Sequence, residues 1–199
     1  MADPGHVRTF NRIAPRYDAK FGKDCVAAHD LVLGWAQQAR LAPDTVLDIG
    51  CGTGQLLSAA AERWPGARLH GVDPAEAMLA IAGKRLPAAS LHAGRAERLP
   101  LPDGGVDLVL STTSFGHWTD AEAGLREVRR VLRPGGSVLI AEHAPPGALL
   151  TVVLKALGRL PRLYGAEEMR ALVRRAGLCP RRAETHPGVF VVTHAVRPV

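Results

Sequence analysis

Asp48, Asp73, the glycines between them and His117 are the residues of this chain whose types and spacing point to chemistry. Val46-Leu47-Asp48-Ile49-Gly50-Cys51-Gly52-Thr53-Gly54-Gln55 sets a carboxylate inside an apolar strand, which then breaks into three glycines spaced by single residues. Lacking a Cβ, glycine lets the chain turn sharply with positive φ and bring backbone N–H groups close to a ligand. The strand-like Leu69-His70-Gly71-Val72 then ends in Asp73, about where a doubly wound sheet sets a carboxylate on a ribose. Together the two features specify a βαβ unit with a nucleotide-like ligand across the carboxyl ends of its strands. Ser111-Thr112-Thr113-Ser114-Phe115-Gly116-His117-Trp118 follows a later strand and offers His117 as a candidate base, since an imidazole takes a phenol or hydroxyl proton near neutral pH. His143 is the second candidate, and a structural hydrogen-bonding role is the alternative reading of a lone histidine.

The glycine spacing separates two classes of cofactor. A dinucleotide fingerprint reads G-x-G-x-x-G and leaves room for a pyrophosphate on the helix N-terminus. Here the pattern is G-x-G-x-G, with Gln55 where the third glycine should stand, which disfavours a dinucleotide-dependent reductase. The pattern resembles the first motif of class I S-adenosylmethionine-dependent methyltransferases. The resemblance runs from Phe10 to about Gly136, through Phe10-Asn11-Arg12-Ile13-Ala14-Pro15-Arg16-Tyr17-Asp18, Val72-Asp73-Pro74 with Met78, Leu99-Pro100-Leu101-Pro102-Asp103-Gly104, His117-Trp118 and Val131-Leu132-Arg133-Pro134-Gly135-Gly136. It looks most like the small-molecule branch that includes the quinone-biosynthesis methyltransferases.

The resemblance implies S-adenosylmethionine as cofactor, and roles for particular residues. Backbone groups of Gly50, Cys51, Gly52 and Thr53 would cradle its methionine part. Asp48 would orient that loop or receive the ligand's ammonium, and capping the turn is its structural alternative. Asp73, followed by Pro74, would accept both ribose hydroxyls. Met78 would pack near the adenine or ribose unless it is simple core, and Ser111 joins the same set. Tyr17 would close over the ligand from an N-terminal lid, with a surface tyrosine as the alternative. At the adenine end many relatives carry an acidic residue where this chain has Arg95, which has no acceptor to offer. Ala96 backbone, Glu97 or a stacked guanidinium would hold the base instead. Arg95 keeps a third class open, a cofactor-binding paralogue without catalysis. In the family plan His117 lies where acceptor and methyl group meet, although a carbon acceptor activated by a neighbouring phenolate needs no strong base.

The elements that must position these groups alternate along the chain. A helical lead-in through Cys25–Ala28 and Leu31–Trp35 stops before Pro43. Helices over Gln55–Arg63 and Ala75–Leu86 follow strands one and two; Leu91–Ala93 is strand three and Val106–Leu110 strand four. Between Thr119 and Leu132, apolar Leu125, Val128 and Leu132 fall at helical spacing, with Arg126, Arg129, Arg130 and Arg133 as the wet side. Strand five covers Ser137–Ala141, and a helix runs from Ala166 to Ala176. Arg181–Thr185 and Val189–Thr193, separated by Pro187-Gly188, read as an antiparallel hairpin. The expected fold is α/β, a Rossmann-like, doubly wound, mostly parallel seven-stranded sheet with an antiparallel C-terminal hairpin and helices on both faces. It forms one domain, 1–199, with a helical lid (1–40), a cofactor-binding core (44–143) and an acceptor-pocket insertion (144–165).

Composition sets the remaining bounds. At 199 residues and 47% hydrophobic, one α/β domain with a full core is expected. The polar start gives no signal peptide, and no apolar run approaches the roughly 20 residues of a membrane span. Cys25, Cys51 and Cys179 lie far apart, the usage of a reduced, cytoplasmic chain. The scattered histidines predict no metal site. The net charge of +6 resides in the last quarter of the chain, as a solvated helix face or as an attraction for an acidic substrate or anionic membrane. No motif of a nucleic-acid module is present. The greasy segment 147–160, with Lys155 and Arg159 four residues apart, suits an apolar or membrane-proximal acceptor, peripheral membrane contact, or a dimer interface. The expected partner is a small-molecule acceptor, with the chain a monomer or homodimer.

Overall fold

The computed structural model describes residues 4–145, 163–186 and 189–199. Seven strands, β1 (Thr45–Ile49), β2 (Arg68–Asp73), β3 (Ser90–Ala93), β4 (Val106–Thr112), β5 (Leu132–His143), β6 (Cys179–Thr185) and β7 (Phe190–Val196), form one sheet in the order β3-β2-β1-β4-β5-β7-β6. The first five are parallel, and β7 lies antiparallel between β5 and β6. Strand order reverses at β1, whose neighbours are β2 and β4. At such a switch point the loops leave the strand ends in opposite directions and open a crevice.

Every residue of β1 is buried, as a parallel strand covered on both faces must be. On one face Val46, Leu108, Leu110 and Leu139 pack with α2 (Tyr17–Gln38) and α3 (Gln55–Arg63). On the other, Leu47, Ile49, Val109 and Ile140 pack with α5 (Ala121–Val131) and α6 (Ala166–Arg175). Two further helices, α1 (Pro4–Ile13) and α4 (Glu76–Arg85), meet at the strand-end rim.

Several elements differ in extent from the sequence reading. The lead-in helix begins at Tyr17, because its first turns are only partly covered and carry no apolar period to read. Strand β5 starts at Leu132, since Gly135 N donates to Arg197 O and Arg197 N to Gly136 O, carrying the ladder through the glycines. Arg130 is more than a wet-side residue: it donates to Glu127, Asp103, Leu99 O and Leu101 O and so pins the loop before β4. Arg133 likewise pairs with Asp107, and Asp107 Oδ2 accepts from Thr45 N at 2.8 Å. The segment 147–160 and the Pro187-Gly188 turn lie outside the described residues. Among those described, no helix is long and apolar enough to cross a membrane, and no cluster of three or more metal-ligating side chains occurs.

Candidate active site

The loop after β1 carries φ values of +76° at Gly50, +52° at Gly52 and +80° at Gly54, a region costly for any residue with a Cβ. Gly50 N and Cys51 N both donate to Val72 O, which holds the loop across the end of β2. A Cβ on Gly50 would stand 2.4 Å from Ser114 Cβ and Oγ. The approach is fixed from the other side by Ser111 and Ser114, whose hydroxyls donate to Ile49 O at 3.0 and 2.8 Å. At Gly52 a Cβ would meet nothing within 4 Å, so the backbone there faces open space.

Two carboxyl groups stand beneath this loop in different surroundings. Asp73 Oδ2 accepts from Gly52 N at 2.9 Å and Oδ1 from Ala75 N at 2.8 Å. Burial raises its carboxyl above the ordinary range, and those two amides oppose the rise. A carboxylate oxygen has two lone pairs, so each oxygen of Asp73 retains one. Asp48 is fully enclosed, and its Oδ1 has no hydrogen-bond partner. Burial, followed by the charge of Asp73, pushes its carboxyl up to about 8, so at neutral pH it is mostly a protonated acid.

A cavity of ≈ 150 Å³ runs along the strand ends. Of the residues singled out in the sequence, Tyr17, Gly50, Gly52, Asp73, Pro74, Met78, Ala96, Glu97 and His117 line it. Asp48, Cys51, Thr53, Ser111 and His143 are not in its wall. Cys51 is buried against the sheet, its thiol pushed well up by burial. Thr53 Oγ1 donates to Asp18 Oδ1 at 2.6 Å. Ser111 supports the glycine turn from below. His143 packs its ring 5.0 Å from that of Phe190. Glu97 Oε1 accepts from Thr119 N and Asp120 N, so it also fixes the entry to α5.

Sequence reasoning set a helical lid at 1–40 with Tyr17 as its contact residue, and did not name His6, Val7 or Phe10 as part of the wall. His6, Val7 and Phe10 line the cavity, with the ring centroids of His6 and Phe10 4.4 and 5.6 Å from that of His117. The His117 ring faces the cavity and solvent reaches it, yet protein surrounds enough of it that burial, then His6 and His143, lowers it to about 4. It is therefore neutral at pH 7. Tyr17 hydroxyl lies 3.7 Å from Cys25 Sγ, and burial first, then Cys25, raises it above the usual phenol range.

Residues 46–136 match a family described as a methyltransferase domain. With the strand order and the loop geometry, this match makes residues 46–136, just under half of the chain, similar to the methyltransferase domains of that family. The chain is related at moderate identity to demethylmenaquinone methyltransferases. That of Thermus thermophilus is 38% identical over 151 residues, covering 69% of this chain and 65% of the relative. That of Deinococcus radiodurans is 34% identical over 164 residues, covering 78% and 64%. The chain thus spans just under two thirds of the length of these relatives. An S-adenosylmethionine-dependent methyltransferase of Thermotoga maritima shares the fold, with a TM-score of 0.72 at 24% identity over 96% of this chain and 98% of that one.

Proposed function

We propose that this chain transfers a methyl group from S-adenosylmethionine to O, C or N of a small apolar or aromatic acceptor. The observation that carries this reading is the Asp73 carboxylate, held by two backbone amides beside a glycine loop that faces open space. One lone pair on each oxygen suits a vicinal diol, and a ribose supplies one. The loop fits an uncharged or zwitterionic ligand part at Gly50–Gly52, where no phosphate-binding third glycine follows.

When bound, S-adenosylmethionine supplies a methyl carbon on a positive sulfonium, open to in-line displacement. The chain's own part is positioning, which provides much of the acceleration in such transfers. Asp73 fixes the sugar; Gly50 and Gly52 backbone groups orient the amino-acid end; Tyr17 and Phe10 offer ring faces from the N-terminal helices. His117, neutral at pH 7, accepts a hydrogen bond or proton from the acceptor. Helices α1 and α2 serve as the lid that excludes water. The demethylmenaquinone methyltransferases among its relatives favour a quinol-like aromatic acceptor, and the apolar sequence of 147–160 favours one drawn from a membrane. A cytoplasmic monomer or homodimer without nucleic-acid partners completes the proposal.

Calorimetry with S-adenosylmethionine and NADH tests the reading. Binding of the first alone is expected, and Asp73→Asn should weaken it roughly 10- to 100-fold, the worth of a hydrogen bond to a charged acceptor. Binding of NADH in preference, or unchanged affinity in Asp73→Asn, overturns it.

A further inference from the structure

Among the described residues two that are not glycine hold φ in the left-handed region, Arg40 at +53° and Thr113 at +50°. Arg40 follows the last turn of α2, where a left-handed residue commonly closes a helix. Thr113 closes no helix: it follows β4 directly, and a β-branched side chain at such an angle is a genuine outlier. The surroundings enforce it. Thr113 N donates to Ala141 O at 2.9 Å, continuing the pairing of Thr112 with Ala141, and the next residue is tied down by the Ser114 hydroxyl on Ile49 O. Strain of this kind persists where neighbours over-determine the backbone, and it gathers at ligand sites. Thr113 lines the cavity. Its hydroxyl has no hydrogen bond to any described residue and is not closed off from solvent. The strand order sets its place in the crevice: β4 stands on the far side of β1 from β2, so Thr113 and Asp73 lie on opposite sides of the glycine loop.

On the methyltransferase reading, on which this inference rests, Asp73 holds the sugar and the acceptor comes in from the β4 side. We propose that Thr113 sets acceptor specificity there: its hydroxyl donates a hydrogen bond to an oxygen carried by the methyl-accepting molecule, so the site selects an oxygenated aromatic over a bare hydrocarbon ring. A site that offers such a partner discriminates against the analogue that lacks the matching group. The Thr113 hydroxyl supplies a donor, and the neutral His117 imidazole in the same turn supplies an acceptor. Together they suit a molecule with two oxygens, one donating to the imidazole and one accepting from the hydroxyl. Phe10 reaches this side of the cavity, its ring centroid 5.6 Å from that of His117, and offers an apolar face to the ring that carries those oxygens. Glycine would take the same φ without cost but could not supply the donor.

Calorimetry on the S-adenosylhomocysteine complexes of the wild type, Thr113→Val, Thr113→Ser and Thr113→Gly tests this, with naphthalene-1,4-diol, kept reduced, and naphthalene as probes. The wild-type complex is expected to bind the diol more tightly than naphthalene. Thr113→Val, which keeps the shape and loses the hydroxyl, should weaken diol binding about 3- to 10-fold, the worth of one neutral hydrogen bond, and leave naphthalene binding unchanged. Thr113→Ser, which keeps the hydroxyl, should stay within about twofold of the wild type. Thr113→Gly lacks the hydroxyl but suits the backbone angle; it should repeat the loss seen with valine and guards against a folding defect there. S-adenosylhomocysteine itself should bind every variant as it binds the wild type. Diol affinity unmoved in both Thr113→Val and Thr113→Gly, or a loss that falls on S-adenosylhomocysteine instead, overturns the role of Thr113 and leaves the methyltransferase reading intact. So does a wild-type complex that does not bind the diol. Failure of S-adenosylhomocysteine to bind the wild type overturns both.

Discussion

Asp18 Oδ2 lies 2.6 Å from Arg85 Nη2, joining the start of α2 to the end of α4. The same pair grips the glycine-rich loop: Thr53 Oγ1 donates to Asp18 Oδ1, and Arg85 Nη1 donates to Thr53 O. A second tie holds α1, where Asn11 Oδ1 accepts from Ala77 N at 2.9 Å. Burial works against the Asp18 charge, but hydrogen bonds from Arg85 and Thr53 outweigh it and keep the carboxyl below its ordinary range. The N-terminal helices are thus latched to the loop they cover.

Breaking the latch should therefore change access more than stability. Both side chains are about one-third exposed, and such a pair contributes about 1 kcal/mol or less. Asp18→Asn is expected to leave the melting temperature nearly unchanged, to hasten proteolysis between Arg12 and Lys23, and to speed ligand release. Stopped-flow dissociation and limited proteolysis check this. A variant with wild-type cleavage and release rates would show that the ion pair does not govern the lid.

His117 yields a prediction with a defined sign. Its proton affinity is lowered to about 4 by burial and by His6 and His143. The neutral, accepting form therefore persists well below the 6.5 of a free imidazole. If the ring takes part in turnover, kcat should hold from pH 7 down to about 5 and fall only as pH drops through 4, with no inflection near 6.5. His117→Ala should lower kcat about 100-fold or more, the low end of general-base effects, while changing cofactor affinity little. Equal turnover in the variant would remove His117 from the mechanism.

Asp48 makes stability fall with rising pH. Its carboxyl titrates near 3.8 when free and about 8 in the fold, so between those values the native state binds the extra proton. The contribution is full below the free value and is lost as pH climbs through the folded one. Asp48→Asn, which keeps the shape without the charge, should match the wild type near pH 4 and exceed it by about 5 kcal/mol at pH 8.5, roughly four pH units at 1.36 kcal/mol each. Urea denaturation at the two values measures the gap. A constant difference would mean that Asp48 ionises freely in the folded protein.

Much of this was legible because chain order and sheet order coincide where it matters. The helix Gln55–Arg63 could be bounded to the residue by the glycines before it and Trp64-Pro65-Gly66 after it. Asp73 and Gly50 could be placed because each ends a strand of the same parallel set. The side-chain contacts of the N-terminal helices were less legible. His6 meets His117, and Asp18 meets Arg85, across long stretches of chain, and neither pairing leaves a periodic trace. Glu97 could be assigned to one end of the site, but its grip on the Thr119 and Asp120 amides depends on how two loops fold together.

Gly50 tests whether the loop is held by its own conformation or by its neighbours. Alanine there meets two separate penalties: φ at +76°, and a Cβ 2.4 Å from Ser114 Cβ and Oγ. The first costs about 1 kcal/mol. The second is larger, because Ser114 is anchored to Ile49 O and cannot swing aside without losing that bond. Gly50→Ala should therefore destabilise the protein by about 3 kcal/mol or more and weaken cofactor binding. Adding Ser114→Gly should recover the steric part and leave the conformational part. If the double variant is no more stable than Gly50→Ala alone, contact with Ser114 is not what restricts the position, and the backbone angle by itself accounts for the glycine.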